Sequence, residues 1–385
     1  TIIVNPTAQV NDPTDQVVCN GDNTSVTFTT NRTGGTTTYT WTNDTPAIGL
    51  LAGGTGNIGA FAAVNAGTSP VTATITVTPN FNNGGVDCSG PSEDFTIIVN
   101  PTAHVNDPTD QVVCNGDNTA AVTFTTNRTE GTTTYTWTND TPAIGLLAGG
   151  TGNIGAFAAV NTGTSPVVAT IIVTPTFTNE AVGCAGPTKT FTITVNPTPT
   201  LSSTLTHADV CSNTLFSYNP TSATVGTTFN WSRAVVDGIT PAGPTSGVNN
   251  PNETLINITS APIAVTYQYT LAANDCNNVQ DVIVNINPEP VGADDTDNTC
   301  SNLALNYDLQ ANIDGVNGVS SDFSWVAEDN TNVTGESTTA QTGDFITDNI
   351  TNQSGLDQDV VYTVTPTGTN DCTGDPFTVT ITIQT

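Results

Sequence analysis

Over the first hundred residues, apolar side chains recur at every second position. Val26 and Phe28 alternate with Thr27 and Thr29. Tyr39 and Trp41 share one face of residues 37–42, with threonines on the other. Val71, Ala73, Ile75 and Val77 alternate with Thr72, Thr74 and Thr76. A period of two marks a strand with one buried face. The pattern predicts strands at 26–30, 37–42, 47–52, 57–65 (carrying Ile58 and Phe61), 71–77 and 95–99, after an irregular extended segment over 7–19. A turn at Asn20-Gly21-Asp22 and a loop at 31–35 punctuate them, and a long loop containing Cys88 precedes the last strand. No helical period recurs. Seven short strands with a Trp on the third predict an all-β, immunoglobulin-like Greek-key β-sandwich.

The pattern then starts again. Val-Asn-Pro stands at 4–6, 99–101 and 195–197, and Asn-Ile-Asn-Pro at 285–288. Each is followed by a Cys, a Trp and a second Cys at matched spacing: Cys19, Trp41, Cys88; Cys114, Trp137, Cys184; Cys211, Trp231, Cys276; Cys300, Trp325, Cys372. A period of roughly 95 residues is too long for a solenoid unit and fits a tandem array of independent domains. The expected layout is the closing strand of a preceding repeat at 1–5, then repeats at 6–100, 101–196, 197–287 and 288–385. Trp41, Trp137, Trp231 and Trp325 fall on the apolar face and are expected in the four cores.

The motifs resemble a known family. Cys-Asn-Gly-Asp (19–22), Tyr-Thr-Trp-Thr-Asn-Asp (39–44), Gly-Thr-Gly-Asn-Ile (54–58) and Phe-Thr-Ile-Ile-Val-Asn-Pro (95–101) are similar to the PKD-like repeats of giant secreted or surface proteins of Bacteroidetes. The first two repeats carry the motifs most closely. The third and fourth keep the Cys, Trp, Cys and closing-strand pattern but lose Gly-Thr-Gly-Asn-Ile. The resemblance implies an adhesin-type protein at the cell surface or outside the cell, often exported by the type IX route.

Composition narrows the function. Hydrophobic residues make up 36% of the chain, which suits thin sandwiches wetted on one face of each strand. Acidic residues number 34 against 4 basic ones, so there is no basic footprint for nucleic acid or anionic lipid. No apolar run is long enough to span a membrane as a helix. Such an array displays, spans or adheres, and it is expected not to be an enzyme. Gly54, Gly56 and Gly59 match a dinucleotide pattern, but no helix follows, and they are expected to permit positive φ in a loop. His104 and His207 have no repeated Ser or Asp partner for a hydrolytic triad. Lys189 is the only lysine, which excludes Lys–Asn isopeptide staples from three of the four repeats.

Two cysteines per repeat point to disulfides and an oxidising, extracellular setting. Thirteen residues separate Pro6 from Cys19, about 40 Å if extended, which carries Cys19 to the end of its repeat facing the next one. Thirteen residues also separate Cys88 from Pro101, which places Cys88 at the opposite end. Bonded cysteines need Cα atoms within about 7 Å. The preferred pairing is therefore between repeats: Cys19–Cys184, Cys114–Cys276 and Cys211–Cys372. It leaves Cys88 and Cys300 for neighbouring domains or for other copies joined head to tail. The alternative closes each repeat on itself: Cys19–Cys88, Cys114–Cys184, Cys211–Cys276 and Cys300–Cys372.

Acidic clusters at Asp12 and Asp15, at Asp107 and Asp110, and at Asp294 and Asp295 are candidates for calcium at the joints; otherwise no cofactor is expected. The functional expectation is a structural extracellular fibre, stalk or filament subunit that supports display or adhesion. The alternative is an adhesin module that recognises glycan or a surface protein through loops at the sandwich ends.

Overall fold

A computed structural model describes residues 2–385. It divides into two compact units, Thr1–Pro197 and Thr198–Thr385, each holding two repeats. Thr1, the first residue of the expected closing strand, lies outside the described residues. Ile2, Ile3 and Val4 are exposed and form no strand.

In the first repeat the strands are β1 (Gln16–Cys19), β2 (Asn23–Val26), β3 (Thr36–Asn43), β4 (Gly53–Thr55), β5 (Ile58–Ala62), β6 (Val71–Asn83), β7 (Val86–Ser89) and β8 (Glu93–Asn100). One sheet has the order β1-β8-β6-β3-β4, with β7 also paired to β6, and β2 pairs β5 in the other. The chain crosses between sheets from β1 to β2, from β2 to β3, from β4 to β5 and from β5 to β6. This is the immunoglobulin-like sandwich, and the chain is a tandem of such sandwiches. The second repeat repeats the larger sheet with β9 (Gln111–Cys114), β10 (Thr132–Asn139), β11 (Gly149–Thr151), β12 (Val167–Asn179), β13 (Val182–Ala185) and β14 (Lys189–Asn196). Its smaller sheet is reduced to the bridges Asn118↔Ala158 and Val122↔Ile154.

The alternation puts Tyr39 and Trp41 of β3, Ala73, Ile75 and Val77 of β6, and Phe95, Ile97 and Val99 of β8 into one core, with threonines facing water. Each repeat has its own core of this kind, containing Trp41, Trp137, Trp231 or Trp325. Gly54, Gly150 and Gly247 lie beneath the indoles of Trp41, Trp137 and Trp231, and a Cβ there would strike the ring. The expected role of Gly54 in a positive-φ loop is therefore corrected. Only Gly56 and its counterpart Gly152 take positive φ in that motif.

Pro79 sits inside the central strand β6 without breaking it. Over residues 71–77 the flank of β6 pairs with β8, and over 80–83 it pairs with β7. Pro79 falls at the changeover, with its carbonyl taking the Gly90 amide on that flank, so the missing N–H has no ladder position to fill.

Four local expectations are corrected. The strand expected at 26–30 runs instead over Asn23–Val26, and residues 27–30 form none. Residues 47–52 form no strand: Pro46–Ile48 is a 3-10 turn that drops Ile48 fully into the core. The loop around Cys88 contains β7, a hairpin partner of β6 through Gly84 and Gly85, both at positive φ. The fourth repeat has a short helix, Leu309–Asp314, in which the Asp308 carboxylate accepts from the Ala311 amide at its N-terminus. Leu309 and Ile313, four apart, bury its inner face. One such pair is too short a signal to register as helical periodicity.

Candidate functional site: the joint between repeats

The ends of each sandwich are set by strand register. Cys19 ends β1 and stands opposite Asn100, the last residue of β8. This is the exit end. Cys88 on β7 stands opposite Phe81, ten residues along β6 from Val71, which pairs with Val99 at the exit end. Ten residues of strand span about 33 Å, so Cys88 lies at the other, entry end. Cys184 has the place of Cys88 in the second repeat, opposite Phe177.

Cys19 is bonded to Cys184, with Cα atoms 5.5 Å apart. Cys211, in register with Asn287, is bonded to Cys372, with Cα atoms 5.6 Å apart. Both bonds tie the exit end of one repeat to the entry end of the next. They exclude the within-repeat alternatives: Cys19 is not available to Cys88, Cys184 to Cys114, Cys211 to Cys276, or Cys372 to Cys300. The physical reason is the span of the sandwich. Cys114 is in register with Asn196, and Cys276 begins the strand Cys276–Asn287. Cys88 is partly buried, Cys300 is exposed, and both are free thiols.

Around Cys19–Cys184 the joint is polar and hydrogen-bonded. Asn179 Nδ2 donates to Asn100 Oδ1 at 3.0 Å, and Asn100 Nδ2 donates to the Asn179 carbonyl at 3.3 Å. Asn20 Nδ2 donates to Thr102 Oγ1 at 3.0 Å, and Asn20 Oδ1 accepts the Asn65 amide at 2.7 Å. Asn65 anchors an exit-end loop by donating to the carbonyls of Ser69 and Val99 at 2.9 and 2.7 Å. The tip of that loop meets the second repeat: Arg128 Nη1 donates to the Gly67 carbonyl at 3.1 Å, and the Thr129 amide to the Thr68 carbonyl at 3.0 Å. Arg128 Nε also donates to the Thr102 carbonyl at 2.7 Å. One guanidinium thus bridges the linker and the preceding repeat.

The second unit varies this scheme. Ser212 replaces Asn20, and its Oγ accepts the Asn257 amide at 2.9 Å. Asn257 donates to the carbonyls of Ala261 and Ile286, both at 2.8 Å. Asn287, at the place of Asn100, keeps a buried Oδ1 with no hydrogen-bond partner. Asn317 takes over part of the clasp, donating to the Glu289 carbonyl at 2.8 Å and accepting the Val291 amide at 3.2 Å. A groove of about 410 Å³ between these repeats is lined by Ser212, Asn213, Ile256, Glu289, Asn317 and Asp375, among others. Burial, aided by the Asp375 charge, pushes the Glu289 carboxyl up.

The candidate calcium ligands do not converge. Asp15 and Asp110 each accept a β-strand amide at 2.6 Å, from Thr96 and Thr192. Asp294 does the same for Thr378 at 2.8 Å. Asp295 accepts from the Tyr307 hydroxyl at 2.7 Å, Asp107 pairs with Lys189 at 2.6 Å, and Asp12 is exposed. Among the described residues no three His, Cys, Asp or Glu side chains come together as a metal site.

Sequence reasoning missed two polar features. The first is Arg128, although two of the three arginines of the chain recur in the same Asn-Arg-Thr, at 32 and 128. The second is Arg233, fully buried against Glu253 at 3.0 Å, where Tyr267 and Thr245 also donate to the carboxylate at 2.6 and 2.8 Å. Its signal was the strand period, which puts residue 233 on the inward face with Trp231.

No curated protein matches the chain in sequence. Among solved structures, three immunoglobulin domains of titin (I67–I69, in an E-to-A mutated variant) align at 10% identity over 74% of this chain and 100% of that one, with a TM-score of 0.42. Drosophila N-cadherin EC1-4 aligns at 12% identity over 97% of this chain and 99% of that one, with a TM-score of 0.27. The family model of the PKD-like domain matches residues 208–290 and 297–385, so the resemblance carried by motifs of the first two repeats falls on the third and fourth.

Proposed function

We propose that this chain is a load-bearing extracellular scaffold, a stalk or fibre segment that supports display or adhesion. One observation carries the reading: the bonds Cys19–Cys184 and Cys211–Cys372 join successive repeats instead of closing single ones. Tension applied along the polypeptide then passes directly from Cys19 to Cys184 and from Cys211 to Cys372. Residues 20–183 and 212–371 are bypassed and cannot be drawn out while the bonds hold. A disulfide within one repeat protects only that repeat. The spacing rule that yields these two pairs yields Cys114–Cys276 as a third. Bonds of this kind persist where the surroundings are oxidising, which places the working protein outside the cytosol.

The partners that fit are further repeats or copies of this chain, coupled head to tail through Cys88 and Cys300. A loop-based binding role has less support, because the exit-end loop at 65–69 is occupied by Arg128 and Thr129.

Single-molecule stretching tests the reading. Without reductant, no repeat should unravel to its full length. With reductant, each broken staple should release roughly 600 Å of hidden contour. Full-length unravelling of the oxidised chain would overturn the proposal.

A further inference from the structure

We infer that the entry end of the first repeat is a docking surface for the exit end of the fourth repeat in a second copy, with Arg32 selecting the partner. The inference rests on the stapled-scaffold reading and identifies what would recognise the next copy before any covalent bond forms.

The chain has four cationic side chains. Arg128 lies in the joint of the first unit, Arg233 is buried against Glu253, and Lys189 pairs with Asp107. Arg32 is exposed, and among the described residues its guanidinium has no hydrogen-bond or ion-pair partner. It occupies in the first repeat the place that Arg128 occupies in the second, within the same Asn-Arg-Thr. Its neighbours match as well. Cys88 stands opposite Phe81 as Cys184 does opposite Phe177. Asn83 exchanges side-chain hydrogen bonds with Asn5, at 3.1 and 3.0 Å, as Asn179 does with Asn100. The receiving half of a joint is complete there.

The fourth repeat presents the inserting half. Cys300 is in register with Gln384 as Cys19 is with Asn100. Ser301 Oγ accepts the Asn352 amide at 3.0 Å, and Asn352 donates to the carbonyls of Leu356 and Ile383 at 2.9 and 3.0 Å. This is the anchored loop that accepts Arg128 elsewhere, with Ser354 at the place of Gly67. Asp357, exposed at the base of the same loop, accepts the Thr385 amide at 3.1 Å through Oδ1, and its Oδ2 adds an acceptor for an incoming guanidinium. Asn5 holds on Asn83 the place that Asn100 holds on Asn179, and Gln384 of the arriving copy, in register with Cys300, would take that place.

Docking sets the Cys88 and Cys300 thiols together. Coupling then follows by exchange with a disulfide oxidant such as oxidised glutathione. One thiolate attacks the oxidant, forming a mixed disulfide and expelling one thiol. The second thiolate attacks that mixed disulfide and expels the other, so two protein thiols are oxidised and one oxidant disulfide is reduced.

The test follows the full chain in a glutathione redox buffer by non-reducing electrophoresis and peptide mapping. The wild type should build a ladder linked by Cys88–Cys300. R32A should build it at least about tenfold more slowly, the loss expected for even one hydrogen bond from a charged donor. C88S mixed with C300S should stop at one dimer. No ladder, an unchanged rate in R32A, or links of Cys88–Cys88 or Cys300–Cys300 would overturn the inference. The same digests report Cys19–Cys184, so loss of the staple itself is read separately from failure of docking.

Discussion

Asn100 and Asn179 face each other across the first joint and satisfy one another, each side-chain amide donating to the other residue. Asn100 is fully buried, so its amide group cannot turn to water if its partner changes. Asn179→Asp replaces the donor with a carboxylate aimed at the Asn100 oxygen. It should destabilise the joint by about 1–3 kcal/mol, the penalty for an unsatisfied buried polar group. Hydrogen exchange resolves this, because the amides of Asn20 and Thr129, bonded to the Asn100 and Thr68 carbonyls, should lose protection before the cores do.

The turn beside this clasp carries strain that the first repeat avoids. Gly84 and Gly85 of the first repeat are replaced by Glu180 and Ala181, at φ of 47° and 64°. An L side chain in that region costs roughly 1 kcal/mol or more relative to glycine. Ala181→Gly should therefore raise the melting transition of the second repeat, by a stabilisation of about 0.5 kcal/mol once the greater freedom of glycine in the unfolded chain is subtracted. An unchanged or lower transition would show that the hairpin relieves the strain elsewhere.

Arg233 and Glu253 form the buried ion pair of the third repeat. Burial raises the Glu253 carboxyl, but Arg233 and the hydroxyls of Tyr267 and Thr245 together hold it below the usual glutamate range. Arg233→Ala leaves that carboxylate with no cation beside it and also strands the carbonyls of Pro241 and Ala242. A loss of about 3–5 kcal/mol is expected in chemical denaturation, confined to the third repeat.

Asp44 and Asp140 occupy equivalent positions and titrate below the usual aspartate range. In each case a strand amide, from Thr74 or Thr170, donates to the carboxylate at 2.8 Å, and the hydroxyl of Thr45 or Thr141 donates at 2.9 Å. A folded value below the unfolded one adds stability above the unfolded value and loses it as pH falls through the folded one. Repeats one and two should therefore lose melting temperature below about pH 4. Asp44→Asn should lower the melting temperature of the first repeat at neutral pH and flatten its acid slope. An unchanged slope in that variant would assign the acid loss to other carboxylates.

The sequence by itself determined the strands that carry the cores, the four-fold repetition, the inward tryptophans and the opposite placement of the two cysteines in each repeat. These are local or additive properties. Side-chain alternation fixes which face of a strand is buried, and chain length fixes how far a cysteine lies from the last landmark. The hairpin at Cys88 was legible in Asn82-Asn83-Gly84-Gly85, a turn signal, but Val86-Asp87-Cys88-Ser89 has no alternation to announce a strand. Tertiary structure decided the rest. Asn100 finds Asn179 across 79 positions, and Cys19 finds Cys184 across 165. Arg128 becomes a joint residue only because the Asn65 loop of the preceding repeat holds its carbonyls in reach. No period in the chain encodes such meetings, since they depend on how the end of one folded sandwich presents its polar groups to the next.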